Sequence, residues 1–167
     1  TRSNSITNFI LCFEFTRIMT AIQNLSVTPL KIIEDDRGSV MHMLRADAPH
    51  FEKFGEIYFS VTLPKAIKAW KRHTRMTLNL AVPHGRIRLV VYDDRSSNNA
   101  NQKIHEFILG PNDNYALIKI PSMVWFGFQN IGGTEALLAN CASIPHEPGE
   151  SEQRDLKEAP VEFDWTV

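Results

Sequence analysis

The 167-residue chain is 43% hydrophobic and 22% charged, and its 18 Lys and Arg residues nearly balance 19 Asp and Glu residues. This length predicts one domain with a sizeable buried core. The net charge of −1 excludes a bulk electrostatic attraction to nucleic acid or to an anionic membrane, and no run approaches the ~18 apolar residues of a membrane helix. Two cysteines are too few for a disulfide framework, which favours a reducing compartment.

The first 18 residues precede the first methionine, Met19. Their apolar run is short and is interrupted by Glu14, which is not typical of a cleaved signal peptide. We therefore treat residues 1–18 as an N-terminal extension outside the domain. A single domain is expected over residues 19–167.

From residue 25 onward, short apolar or alternating runs separated by turn residues predict an all-β protein with closed or paired sheets. The predicted strands cover residues 25–33, 39–44, 56–63, 66–72, 76–82, 86–92, 104–109, 115–120, 124–128 and 135–143. A short helix is predicted over residues 47–55, where Pro49 stands near the start and Gly55 at the end. A second short helix is predicted over residues 151–158.

Three segments, in this order and spacing, resemble the dTDP-4-dehydrorhamnose 3,5-epimerase family. They are Asp36-Arg37-Gly38, the stretch from Ile67-Lys68-Ala69-Trp70-Lys71-Arg72-His73 to Asp93-Asp94-Arg95, and the stretch from Ile120-Pro121 to Gly127-Phe128 with a closing Phe163-Asp164-Trp165. The resemblance implies an all-β cupin, a jelly-roll β-barrel with one or two short helices. It further implies a cytoplasmic isomerase of deoxysugar and polysaccharide biosynthesis that acts on a nucleotide-linked 4-keto-6-deoxy sugar.

The cupin metal motifs can be laid on the chain, but only His73 of their four ligand positions is kept. Lys71, Leu78 and Phe126 stand at the other three. Because a divalent cation in such a site needs three or more protein ligands, we expect neither a metal nor another cofactor.

The family's reaction removes a proton beside a ketone and needs a general base and a cation that stabilises the enolate. The resemblance places Arg37 and Lys68 at positions that bind the diphosphate, although both could be solvated surface charges. Lys71 stands where the family has its base histidine, and an unperturbed lysine pKa of about 10.4 would leave it protonated at pH 7. Strand alternation places Lys71 and His73 on one face. We therefore predict His73 as the base, with Lys71 lowering its pKa or stabilising the enolate. The alternative is a hydrogen-bonded barrel histidine beside a binding lysine.

The family's proton-donating tyrosine is expected in the strand at residues 135–143, which contains no tyrosine. Tyr58, Tyr92 and Tyr115 lie in other predicted strands. We therefore expect reaction at one carbon only, with solvent returning the proton. The alternatives are a catalytically silent cupin that binds a nucleotide sugar or carbohydrate, and a structural barrel filled by its own apolar side chains.

The expected partners are a small-molecule nucleotide sugar and a second copy of the chain, with no nucleic acid and no membrane. The homodimer is implied by the resemblance, because family members pair their barrels through edge strands. The run Ile57-Tyr58-Phe59-Ser60-Val61 is apolar on both faces, which suits such an interface.

Overall fold

A computed structural model describes residues 22–95 and 104–166, so the predicted extension at residues 1–18 lies outside the described residues. The described residues form twelve strands and one 3₁₀ turn. The strands are β1 Ser26–Pro29, β2 Ile32–Asp35, β3 Gly38–Met41, β4 Glu56–Thr62, β5 Ile67–His73, β6 Leu78–His84, β7 Ile87–Tyr92, β8 Ile104–Leu109, β9 Ala116–Ile120, β10 Trp125–Asn130, β11 Ala136–Ala142 and β12 Ser151–Gln153, and the 3₁₀ turn is Leu156–Glu158.

Ten of the strands form two antiparallel sheets of five. The first sheet has the order β1-β9-β6-β11-β4 and the second has the order β12-β5-β10-β7-β8, while β2 and β3 form a separate hairpin. Most strands that pair are far apart in sequence, which is the connectivity of a jelly roll. The predicted all-β jelly-roll fold is confirmed.

The predicted strand at residues 25–33 is divided in the structure. β1 pairs with β9 in the first sheet, whereas β2 pairs with β3 in the separate hairpin. The break is stabilised by backbone hydrogen bonds on either side of it, from Leu30 N to Tyr115 O at 2.9 Å and from His42 N to Lys31 O at 3.0 Å. One predicted strand therefore divides between two different pairings, which local periodicity does not reveal.

The helix predicted over residues 47–55 is wrong, because residues 46–50 form turns and no helix follows them. The backbone N–H of Gly55 is bonded instead to Ala142 O at 2.8 Å, which starts the approach to β4. A short helix gains few hydrogen bonds after its costly nucleation, so pairing with the sheet outweighs the helical signal. In the second predicted helix, residues 151–153 form β12 and only Leu156–Glu158 is helical, with Asp155 as its N-cap.

The main core lies between the two five-stranded sheets, where apolar side chains from both inner faces interdigitate. Its buried members include Leu78, Leu80, Val82, Ile87, Leu89, Val91, Ile118, Ile120, Phe126, Phe128 and Leu138. Burial of this set supplies the main driving force for closing the barrel.

A second, smaller core covers the outer face of the second sheet. Trp70 of β5 and Trp125 of β10 are buried there beneath Phe163 and Trp165 of the C-terminal segment. The Trp70 and Trp165 rings lie 5.5 Å apart, centroid to centroid, and the backbones of Trp70 and Arg154 exchange two hydrogen bonds at 2.7 and 3.0 Å. The closing aromatic motif therefore fixes the segment after β12 against β5.

Candidate active site

A cavity of about 470 Å³ is lined by strands of both sheets, a size typical of small-molecule sites. Its apolar surface comes from Leu80, Phe126, Phe128 and Leu138. Its polar surface comes from Tyr58, Ser60, Lys68, Lys71, Asn140, Gln153, Arg154 and Asp155. An apolar floor with converging polar groups can bind a sugar ring and orient it.

A second cavity, of about 590 Å³, lies beside β1 and β9. Its lysine, Lys119, is already paired with Glu52 at 2.6 Å. The smaller cavity, between the sheets, is therefore the stronger candidate. Its lysine Lys71 has a buried histidine, His73, as a neighbour.

Lys68 and Lys71 reach the cavity from β5, which pairs with β10 through Lys71 opposite Phe126 and Lys68 opposite Phe128. The Lys68 ammonium donates a hydrogen bond to Val61 O at 2.8 Å. Two cations on one wall would attract an anionic group such as a diphosphate.

His73 lies behind the cavity lining, at the end of β5, and is only 4% exposed. Its Nδ1 donates a hydrogen bond to the Glu150 carboxylate, and its ring stacks on Phe126 with the centroids 6.3 Å apart. The other Glu150 oxygen accepts bonds from Arg75 N at 2.9 Å and Met76 N at 2.8 Å. Because an ionised carboxylate only accepts hydrogen bonds, Nδ1 carries the proton and Nε2 carries the lone pair.

The pKa of His73 lies below its ordinary value. Burial is the main cause, and the charges of Lys71 and His146 add to it, while the hydrogen bond to Glu150 acts in the opposite direction. For Glu150, burial acts to raise the pKa, but bonds from His73, Arg75 N and Met76 N outweigh it and hold the pKa below its usual range. At neutral pH, His73 is thus a neutral imidazole, the form that a general base requires.

The structure does not bring Arg37 to the cavity of its own chain. Arg37 lies in the turn between β2 and β3, with its side chain 83% exposed and paired with Asp35 at 2.6 Å. Of the four predicted site residues, Lys68 and Lys71 line the cavity, His73 lies next to them, and Arg37 stands apart.

Sequence reasoning missed Tyr58, which lines the cavity from β4. It sought a tyrosine on β11, whereas antiparallel pairing places Tyr58 opposite Asn140 of that strand. The signal was present in the alternation of β4, where Tyr58 and Ser60 alternate with exposed Phe59 and Val61. Glu150 was also missed, and no local signal identifies it, because it is 77 residues from His73 in the sequence.

Within residues 22–95 and 104–166, no three His, Cys, Asp or Glu side chains group as metal ligands. The described residues also contain no helix that is long and apolar enough to cross a membrane.

The fold defines the class, a cupin-type barrel with a cavity between its two sheets. The chain is 34% identical over 124 residues to the probable low-salt glycan biosynthesis epimerase Agl13 of Haloferax volcanii, a match that covers 73% of this chain and 79% of the relative. It is 45% identical to a dTDP sugar isomerase from Desulfovibrio desulfuricans G20, with a TM-score of 0.81 over 89% of this chain and 94% of that one. No protein-family model matches the chain.

The dTDP-4-dehydrorhamnose 3,5-epimerase of Sulfolobus tokodaii shares the fold at 15% identity, with a TM-score of 0.73 over 89% of this chain and 87% of that one. The resemblance inferred from the sequence is confirmed: the chain belongs to the dTDP-4-dehydrorhamnose 3,5-epimerase family.

Proposed function

We propose that this protein is an epimerase or isomerase of a nucleotide-linked 4-keto-6-deoxy sugar, working by proton abstraction beside the ketone. The observation that carries the proposal is the state of His73, which is buried and neutral and lies next to the Lys71 cation. Its Nδ1 is hydrogen-bonded to Glu150, which leaves the lone pair on Nε2 of the histidine. The names of the relatives, a glycan biosynthesis epimerase and a dTDP sugar isomerase, support the same reaction class.

His73 Nε2 takes the proton from the carbon next to the ketone, and the electrons of the C–H bond move into an enolate. The Lys71 ammonium stabilises the developing negative oxygen. A positioned base contributes about 10²- to 10⁴-fold to such a step, and an electrostatic donor about 10²- to 10³-fold. Since His73 is stacked behind Phe126, this ring has to move aside for Nε2 to reach the substrate.

We assign different parts of the substrate to the polar and the apolar surfaces of the cavity. Lys68 holds the diphosphate by charge-assisted hydrogen bonds. The apolar floor accepts the sugar's C–H groups and its 6-methyl group, which would lose little on leaving water.

We extend the proposal to a homodimer. β4 is an edge strand of the first sheet, and Ile57, Phe59, Val61 and Leu63 form an exposed apolar row along it, each at least 50% exposed. Such an edge favours pairing with another chain. The β2–β3 hairpin also exposes apolar side chains, Ile33 and Val40.

The dimer gives Arg37 a function. β4 both forms the exposed edge and lines the cavity, so a hairpin packed on the partner's β4 would carry its Arg37 toward the partner's cavity.

We expect Phe59→Asp to convert the dimer to a monomer, as measured by sedimentation velocity. We expect Arg37→Ala to weaken nucleotide binding about tenfold, one charge-assisted contact, and Arg45→Ala, an exposed arginine paired with Asp47, to leave it unchanged. If the Arg37→Ala variant bound the nucleotide with wild-type affinity, Arg37 would not be part of the binding site.

A cytoplasmic location and a role in deoxysugar and polysaccharide biosynthesis belong to the same proposal. The buried free thiol of Cys141 is consistent with a reducing compartment.

The deciding experiment is NMR of dTDP-4-keto-6-deoxy-glucose incubated with the protein in deuterated water. We expect deuterium at C3 or C5 with the wild type, none with the Lys71→Ala, His73→Ala double variant, and wild-type labelling with Lys53→Ala, a control at an exposed lysine. The two single variants then separate the base from the enolate stabiliser. Saturable nucleotide binding without exchange would identify a silent binding protein instead.

Reaction at a single carbon stays a prediction. It rests on the lack of a tyrosine in the strand at residues 135–143, and β11 contains none, but Tyr58 lines the cavity from β4. Label and inversion at both C3 and C5 would contradict it.

A further inference from the structure

Three cross-strand partners form a row on the wall that the second sheet gives to the cavity. β12, β5 and β10 are neighbours in this sheet. The register places Gln153 of β12 opposite Lys71 on one side and Phe126 of β10 opposite Lys71 on the other, and all three residues line the cavity. Since direct partners share one face of a sheet, the wall presents an amide, an ammonium and an aromatic ring in this order.

A neighbouring pair on the outer face of the sheet fixes the direction of the Gln153 side chain. Arg72 and Glu152 are also direct partners, and Arg72 Nη2 is paired with the Glu152 carboxylate at 2.9 Å. The Arg72 guanidinium lies over the ring of Trp125, 4.6 Å from its centroid, which places this pair on the outer face. Because successive side chains of a strand alternate between faces, Gln153 points to the cavity.

The Gln153 side chain has hydrogen-bonding capacity to offer a ligand. Its amide group carries two N–H donors and one carbonyl acceptor. Within the ranges that the structure describes, this amide makes no hydrogen bond to the protein. A group that both donates and accepts can therefore bind to it, and a sugar hydroxyl is such a group.

The order of the row matches the order of substituents on the proposed substrate. In a 4-keto-6-deoxy sugar, the ketone carbon has a hydroxyl-bearing carbon on one side and a methyl-bearing carbon on the other. With the ketone oxygen at Lys71, the methyl group fits the side of Phe126, where Phe128 and Leu138 continue the apolar surface. The hydroxyl group then faces Gln153. The reverse orientation would bury the hydroxyl against an aromatic ring without a partner, which is unfavourable.

We propose that Gln153 is a specificity-determining residue that binds the hydroxyl group next to the ketone. It selects nucleotide sugars with a free hydroxyl at this carbon over those that are deoxygenated there. The inference rests on the proposed function and adds a substrate contact to it, with no further chemical step.

The test compares two substrates in deuterated water, dTDP-4-keto-6-deoxy-glucose and its 3-deoxy analogue. The selectivity ratio is kcat/KM for deuterium exchange with the first divided by kcat/KM with the second. We expect Gln153→Ala to lower this ratio about three- to tenfold, the usual value of one neutral hydrogen bond, and to leave the rate on the 3-deoxy analogue within about twofold of the wild type. Loss of the hydroxyl also changes the acidity of its carbon, but equally in both proteins, so the comparison of ratios cancels that effect.

Two further variants support the comparison. Gln153→Leu keeps the size of the side chain and removes its polar atoms, so it should lower the ratio at least as far as Gln153→Ala. Asn112→Ala is the matched control, because Asn112 is an exposed amide in the turn between β8 and β9 and its loss should leave the ratio unchanged. The affinity for each nucleotide sugar, measured by calorimetry, should follow the same pattern.

The outcomes separate the inference from the proposed function. A wild-type selectivity ratio in Gln153→Ala would overturn the inference, while exchange by the wild-type protein would leave the proposed function intact. An equal loss of rate with both substrates would assign Gln153 to a group that they share and would also overturn it. No exchange by the wild-type protein would refute the proposed function, and the two affinities would then decide whether Gln153 binds the hydroxyl.

Discussion

Replacement of Glu150 by glutamine should separate the stability of the barrel from the protonation state of its buried histidine. One Glu150 oxygen accepts the backbone N–H groups of Arg75 and Met76, at 2.9 and 2.8 Å, and the other accepts His73 Nδ1. In Glu150→Gln the amide oxygen takes the first position, because an NH₂ group there would oppose two N–H donors. The amide NH₂ group then faces His73 and needs an acceptor.

His73 can meet this demand only by moving its proton to Nε2, which removes the lone pair from the nitrogen that we assign as the base. We therefore expect the rate of deuterium exchange to fall about 10²- to 10⁴-fold, the full contribution of a general base. The fold should lose only the difference between a charge-assisted and a neutral hydrogen bond, about 1–2 kcal/mol. Glu150→Ala leaves three donors unsatisfied, of which His73 Nδ1 and Met76 N are buried, and should cost about 3–5 kcal/mol.

The assay combines three measurements on each variant, namely the melting temperature, the exchange rate, and the ¹⁵N chemical shifts of the His73 ring, which report the tautomer. At about 2–4 °C per kcal/mol, Glu150→Gln should melt within about 8 °C of the wild type. Glu147→Gln is the matched control, because Glu147 is an exposed carboxylate paired with Arg75. It should change the stability by at most about 1 kcal/mol and leave the exchange rate unchanged.

Two outcomes would refute this reasoning. Wild-type exchange in a folded Glu150→Gln protein whose His73 ring has changed tautomer would show that Nε2 is not the base. An unchanged tautomer would show that Glu150 does not determine where the His73 proton lies.

Further predictions concern the stability of the fold and can be checked by urea unfolding. The pKa of His73 is lowered in the folded state, so as the pH falls below the ordinary histidine pKa of about 6.5 the unfolded chain binds a proton before the folded chain does. The free energy of unfolding should therefore decrease from about pH 6.5 downward. It should decrease further below about pH 4.5, where Glu150 is protonated in the unfolded chain first. His73→Phe should flatten the first part of this loss, and an unaltered slope would contradict the assignment. Gly127→Ala should cost at least about 1–3 kcal/mol by overpacking, because its new Cβ would lie 2.4 Å from Ala69 Cβ; full stability would show that β5 can shift away. Asn130→Ala should cost about 3 kcal/mol, because the buried side chain makes three backbone hydrogen bonds of 2.7–2.8 Å; a loss below 1 kcal/mol would show that water replaces them.

The strands could be predicted from the sequence because their signal is local. Alternation and turn residues depend on neighbours in the chain, as at Gly85, whose positive φ of +77° joins β6 to β7. The break at residues 30–31 and the turns that replace the helix near Pro49 could not be predicted in this way. Both depend on hydrogen bonds to strands that are distant in the sequence.

The same distinction between local and distant information holds for the candidate site. The sequence by itself determined which residues can carry charge or a proton on β5, because strand alternation relates Lys71 to His73 and the resemblance points to Lys68. The spacing of three residues between Lys68 and Lys71 does not follow alternation, and both line the cavity where the pairing of β5 with β10 shifts its register. Only the tertiary structure decided what these residues contact. Glu150 meets His73 across 77 residues and Asn140 meets Tyr58 across 82. Each pair forms when neighbouring strands of one sheet come together, β11 with β4 and β12 with β5, since sheet register, and not sequence spacing, brings distant side chains together.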